Sequence, residues 1–261
     1  MEQAHKSVQI RKDGRVAHIT INHPPKNAIS IEILQQLAKL VGECGSDEVI
    51  RAILLDSANE TPPFAADAAA LLASPSWEGQ FRMLQEGQRA LSAIEFSCKP
   101  VVMAIYDGIC MGGGLELALS CHIRVAGKGT IFSVPEAIAG AMPGWGNTQR
   151  LVHYFGRCKA IEMALTGCQI TAAEAYALGA VNHILASGEV LTKAREIAYA
   201  IARMRTKSIA GIMAAMHVPY RNGLAAGKAA ELQCSMEIYD PKTFTDAVTA
   251  LFEQRTIEFV D

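Results

Sequence analysis

The residues best suited to chemistry are Gly112-Gly113-Gly114, with Glu116 two residues beyond them, and Glu136 in the run Ser133-Val134-Pro135-Glu136-Ala137. A strand that feeds through three glycines into a helix leaves bare backbone N–H groups at the positive helix end. Glycine also lets a substrate approach the main chain closely. The same residues admit a plainer reading, in which the glycines allow tight packing of strand on helix. A carboxylate in the first helical turn is favourable in any helix, and a lone loop glutamate is ordinarily solvated. A third segment, Asn22-His23-Pro24-Pro25-Lys26-Asn27-Ala28, is a proline-stiffened turn with one cation. By itself it reads as the end of a strand.

Other chemistries find no residues here. Neither glycine cluster completes G-x-G-x-x-G, and no G-x-x-x-x-G-K-[ST] occurs, which excludes the usual nucleotide-phosphate loops. H-E-x-x-H and G-x-S-x-G are also missing, and the seven histidines are scattered.

The elements that must position these residues follow from periodicity. Ser7–Lys12 and Arg15–Asn22 read as strands flanking Asp13-Gly14, a pair suited to a primed hairpin turn. Proline at 24 and 25 stops the second strand, because it cannot donate to the ladder. From Ser30, a plausible N-cap, Ile33, Leu34, Leu37, Leu40 and Val41 share one helical face. Ala52–Asp56 predicts a short buried strand, Trp77–Ile94 a helix, and Val101–Tyr106 another buried strand. A brief helix over Leu115–Ser120 and a strand over Ile123–Ala126 follow the glycines. This alternation predicts an α/β core with parallel strands. Thr171 and Glu174 form a capping box for a short helix ending at Gly179, and Val181–Leu185 is the last strand. From Gly188 onward the pattern is helical, broken near Pro219–Gly223 and at Pro241. A soft boundary near residue 200 divides the chain into a core over 1–200 and a helical region over 201–261.

Bulk composition narrows the class. The chain has 261 residues, half of them apolar, enough for a sizeable core without disulfides or metals. Lys and Arg number 24 against 26 Asp and Glu, so no broad field draws nucleic acid or an anionic membrane. Seven cysteines without a C-x-x-C pair suit a reducing cytosol rather than a disulfide scaffold or zinc site. No secretory leader or membrane span is visible, and a cytoplasmic location is expected.

Taken together and in order, several blocks resemble the crotonase (enoyl-CoA hydratase/isomerase) family. They are NHPPKNAIS (22–30), FAADAA (64–69), KPVVMAIYDGICMGGGLELALSCHIRVA (99–126) and PEAIAGAMPGWGNTQRL (135–151), with TAAEAYALGAVNHI (171–184) and FEQR (252–255) behind them. The resemblance implies a spiral of ββα units with a helical C-terminal region, assembled as a homotrimer or homohexamer through 201–261. It also implies an acyl-CoA thioester as substrate, with no metal or redox cofactor. Backbone N–H groups of Gly113 and Ala68 would hold the enolate oxygen, and Glu116 and Glu136 would handle water and proton as in the hydratases. Lys26, Ala28 and Ala66 would meet the nucleotide end of CoA. The reading is a 2-enoyl-CoA hydratase. Its rivals are an enoyl-CoA isomerase, a dienoyl-CoA hydratase, a dehydratase or decarboxylase on a carrier-bound acyl group, and a non-catalytic acyl-CoA-binding subunit. This sequence departs from the family pattern at Asp67 and Ala69, where Gly and Asp are common, at His122 for Asp, and at Asn147 for Gly.

Overall fold

The computed structural model describes residues 7–63, 65–67, 76–257 and 259. The chain opens with the expected hairpin, β1 (Val8–Asp13) antiparallel to β2 (Val16–Ile21). Asp13 pairs with Val16, so the turn residues are Gly14-Arg15, one position later than the sequence suggests. Gly14 has φ +56°, the left-handed conformation that such a turn requires.

Helix α1 (Ile31–Ser46) begins at Ser30, whose side chain accepts the Ile33 N–H at 3.3 Å. It buries Ile33, Leu34, Leu37, Val41 and Cys44. Strand β3 (Ala52–Ser57) follows, then α2 (Trp77–Glu95), β4 (Val101–Ile105), β5 (Gly108–Met111) and α3 (Gly113–Ser120). Next come β6 (Ile123–Gly127), β7 (Thr130–Ser133), a 3-10 turn over Glu136–Ala139, and α4 (Asn147–Thr166). The capping box at Thr171 and Glu174 opens α5 (Ala172–Ala177) just after β8 (Ile170–Thr171). Strand β9 (His183–Leu185), α6 (Val190–Ala202), α7 (Thr206–Ile238) and α8 (Pro241–Phe252) complete the order.

Strands β1-β2-β3-β4-β6-β9 form one sheet and β5-β7-β8 another. Pairings after the first hairpin are parallel except β7 with β8. The chain alternates between the sheets: β4, β5 and then α3; β6, β7 and then α4. That is a spiral of ββα units. Period-two alternation explains why the central strands are apolar throughout. Ile53, Leu55, Val101, Met103 and Ile105 face the core beneath α1 and α2. Their neighbours Leu54, Val102 and Ala104 face Ala194 and Ala198 of α6.

Phe81 in α2 is exposed, stacked on Trp77 with ring centres 5.2 Å apart. Helix α4 was not foreseen, because Gly156 (φ +73°) interrupts its path and buried Asn147 and Arg150 blur its apolar stripe. Gly223 (φ +81°) interrupts α7 in the region where a break was expected. Among the described residues no helix is long and apolar enough to cross a membrane, and the seven cysteines are free.

Candidate active site

The site lies where two parallel strands of the smaller sheet end. β5 and β7 pair in register from Gly108 with Thr130 to Met111 with Ser133, and the Gly112 N–H donates to the Ser133 carbonyl at 3.2 Å. The chain leaving β5 enters α3, and the chain leaving β7 enters the turn that carries Glu136. Side chains set just beyond adjacent strand ends converge without any long reach, the general arrangement of ligand crevices in α/β sheets. Gly112 shows how close they come. Its φ of +47° is one that side chains rarely adopt, and a Cβ there would lie 3.1 Å from Glu136 Oε1.

Glu116 sits in the first turn of α3 and is 3% exposed. Its Oε1 accepts the backbone N–H of Trp145 at 2.9 Å and of Asn147 at 3.2 Å. Its pKa is raised to about 7, first by burial and then by the nearby Glu136 charge, against the opposing pull of the two backbone donors and Arg150. Burial raises the Glu136 pKa as well. Its Oε2 is buried with no hydrogen-bond partner among the described residues. Two carboxyl groups whose proton affinities are both raised share one crevice, an arrangement that can support acid–base chemistry.

The loop that presents the two N–H groups to Glu116 is fixed from behind. Arg150 donates to the Trp145 carbonyl at 2.8 Å and pairs with Glu95 of α2 at 2.7 Å, both side chains being largely buried. Gln88 donates to the Gly144 carbonyl at 2.7 Å. The Trp145 indole is also buried, and two glycines make room for it. A Cβ on Gly87 would fall 2.3 Å from its Cδ1, and one on Gly113 would fall 2.6 Å from its Cζ3. Sequence reasoning missed this role of Trp145. The available signal was Gly87, a glycine inside a helix, where it is unfavourable unless something must approach closely.

The Asn22–Ala28 turn is held by Asn27, whose side chain donates to the carbonyls of Ala58 at 3.2 Å and Thr61 at 3.0 Å, and accepts the His23 N–H. Beyond it Ile29 bridges to Ala66. The Ile29 N–H donates to the Ala65 carbonyl, and the Asp67 N–H to the Ile29 carbonyl. This bridge carries Ala66 alongside Gly113, whose Cβ position lies 3.0 Å from the Ala66 nitrogen. Lys26 is exposed and Ala28 half-buried on the same turn. The structure thus gathers Gly113, Glu116, Glu136 and Ala66 closely, with Lys26 and Ala28 one bridge away. Ala68, expected to supply the second N–H, lies outside the described residues, as do Phe64 and Ala69.

The remaining departures resolve locally. His122 Nδ1 accepts the Val101 N–H at 2.9 Å, and its Nε2–H donates to the Glu95 carbonyl at 3.1 Å. Burial pushes its pKa down to about 4, so the ring is a neutral connector rather than a charged group. Asn147 is wholly buried, and its side-chain amide has no partner among the described residues. No group of three His, Cys, Asp or Glu side chains suited to a metal occurs among those residues.

Comparison with known proteins places this arrangement. A family model described as "Enoyl-CoA hydratase/isomerase" matches residues 11–261. A probable enoyl-CoA hydratase of Bacillus subtilis is 30% identical over 254 residues, 97% of this chain and 98% of its own length. A short-chain-enoyl-CoA hydratase of Clostridium acetobutylicum is 32% identical over 255 residues, 97% of each. Among solved structures, an enoyl-CoA hydratase from Bacillus anthracis superposes with a TM-score of 0.90 at 26% identity, covering 97% of this chain and 99% of that one. DspI of Pseudomonas aeruginosa also gives 0.90, at 27% identity, covering 100% and 98%. Fold and sequence agree over nearly the whole length, and the chain belongs to the enoyl-CoA hydratase/isomerase family of crotonase-type enzymes.

Proposed function

We propose that this protein is a 2-enoyl-CoA hydratase, adding water syn across the C2–C3 double bond of an acyl-CoA thioester. The observation that carries the reading is the pair Glu116 and Glu136, converging on one glycine-lined helix mouth with raised proton affinity in both. An isomerase that shifts a double bond needs only one base to move a proton along the chain. Hydration needs two simultaneous services. One carboxylate takes a proton from water as its oxygen bonds to C3, while the other carboxyl delivers a proton to C2. The sum is one water added, with no electron acceptor and no metal required. The thioester oxygen, which gains charge in the enolate, would rest on the Gly113 N–H at the positive end of α3, with Ala68 as the second donor. Lys26 would approach the CoA phosphates, and the main chain at Ala28 and Ala66 the adenine.

Crotonyl-CoA in ¹⁸O-labelled water tests this directly. The expected product is 3-hydroxybutyryl-CoA labelled in the new hydroxyl. Isomerisation of 3-enoyl-CoA with no hydration would replace this reading by the isomerase.

We also infer a homotrimer or a dimer of trimers joined through the C-terminal helices. Ile212, Met216, Leu232, Met236 and Phe244 stand exposed on α7 and α8 of the single chain, more apolar surface than a free helical appendage carries. Sedimentation should give a mass three or six times that of one chain, and a monomer at micromolar concentration would remove the inference.

A further inference from the structure

On the acyl-CoA reading the carboxylate pair faces an acyl tail as well as a thioester, and the Trp145 ring packs directly on Gly113 at that crevice. Its indole lies between two helices in a fixed sense. The Cδ1–Nε1 edge rests on Gly87 of α2, and Cζ3 at the other end of the ring rests on Gly113 of α3. Neither contact leaves room for a methyl group, so the ring cannot slide along its own length. The loop that bears it is pinned by Arg150 and Gln88. Beyond the ring is a second space, a cleft of about 450 Å³ between α2 and residues 142–150. Leu84, Met142 and Pro143 form its apolar wall, and Trp145 lines it too. The same residue therefore borders the glycine mouth on one side and the cleft on the other.

We propose that the Trp145 indole is the chain-length gate of this enzyme, separating the reacting carbons from the cleft and restricting the acyl group to short chains. The proposal rests on the acyl-CoA reading above and adds to it a substrate class. A rigid aromatic wall discriminates by volume. One methylene too many in a filled apolar pocket changes binding by roughly 10–200-fold, and the ring closes the direction of the cleft to a tail of several methylenes. With the ring removed, the tail gains the apolar wall of the cleft.

The test compares wild type with Trp145→Ala and Trp145→Leu, using butyryl-CoA and decanoyl-CoA as unreactive probes in calorimetric titrations. The leucine variant keeps apolar volume against Gly87 while vacating the Cζ3 end. It decides the question if the alanine variant does not melt cooperatively. Wild type should bind decanoyl-CoA no more tightly than butyryl-CoA. The variants should shift the ratio of the two dissociation constants toward decanoyl-CoA by about tenfold or more, the lower end of what one methylene can discriminate. The kcat/KM ratio for 2-decenoyl-CoA over crotonyl-CoA should move the same way. An unchanged binding ratio in a folded variant overturns the gate, as does a wild type that already prefers the long chain. Wild type binding neither probe defeats the acyl-CoA reading and the gate with it. Binding without hydration defeats only the hydratase assignment, and the binding ratio still decides the gate.

Discussion

Glu116→Gln is expected to lower kcat for crotonyl-CoA hydration by about 10²–10⁴, and Glu136→Gln to do likewise, with saturated acyl-CoA binding retained. Glutamine keeps an oxygen where Glu116 Oε1 accepts the N–H groups of Trp145 and Asn147. The loop should therefore stay in place while the exchangeable proton is lost. Unchanged turnover in either variant would remove the paired-carboxylate mechanism. Glu116→Gln should also change stability in a pH-dependent way. The Glu116 pKa is raised from 4.5 to about 7, mainly by burial. The folded protein therefore holds its proton where the unfolded chain has released it. The advantage of the protonated form is complete below about pH 4.5 and is lost as the pH rises through about 7. Relative to wild type, the variant should gain on the order of 3 kcal/mol at about pH 8 and nothing at about pH 4. Denaturant titrations at the two pH values read the difference. Equal gains at both would mean that burial of the Glu116 charge is not what the site costs.

Gly113→Ala should be nearly as damaging to turnover while touching no ionisable group. The new methyl would sit 2.6 Å from Trp145 Cζ3, 3.0 Å from the Ala66 nitrogen and 3.1 Å from the Ala66 Cα. Two of those neighbours are backbone, and the ring is wedged at its far end by Gly87, so the strain falls on residue 113 itself. Tilting its amide away from the thioester oxygen should cost about 10²–10³ in kcat, the usual loss for one oxyanion donor. Gly42→Ala in α1 is the matched control. Nothing lies within 4 Å of its Cβ position, so turnover should be unaffected and stability should rise by about 0.5–1 kcal/mol. If Gly113→Ala turns over at the wild-type rate, the Gly113 N–H is not an oxyanion donor.

Local signals carried much of the fold. The Ser30 cap, the capping box at Thr171 and Glu174, and the apolar runs at Ala52 and Val101 each have a short-range cause, and each appears where the sequence suggests. Strand β7 was harder. It has four residues, and its partners, β5 and β8, are remote in sequence. The carboxylates were legible only jointly, since neither glutamate alone differs from a solvated one. Their convergence depends on β5 and β7 ending together, which no local pattern encodes. Trp145 was illegible for a related reason, because the two glycines its ring packs on, Gly87 and Gly113, belong to different helices. The Asp67 departure leaves the Ile29 bridge intact, since the bond that Asp67 makes there comes from its backbone.

The parallel order of the large sheet also governs how the chain can reach its native state. After the opening hairpin, each strand of that sheet must wait for a partner separated from it by at least a helix. Ile53 meets Val101, and Val125 meets His183. Loop closure precedes any reward for such pairings, so folding should be slow compared with helical proteins of this size. While β4 waits, Val101–Ile105 is an uncovered stretch of five apolar residues with unsatisfied edges on both sides. A nascent or heat-perturbed chain is therefore most exposed to self-association through the strand that later lies deepest in the sheet.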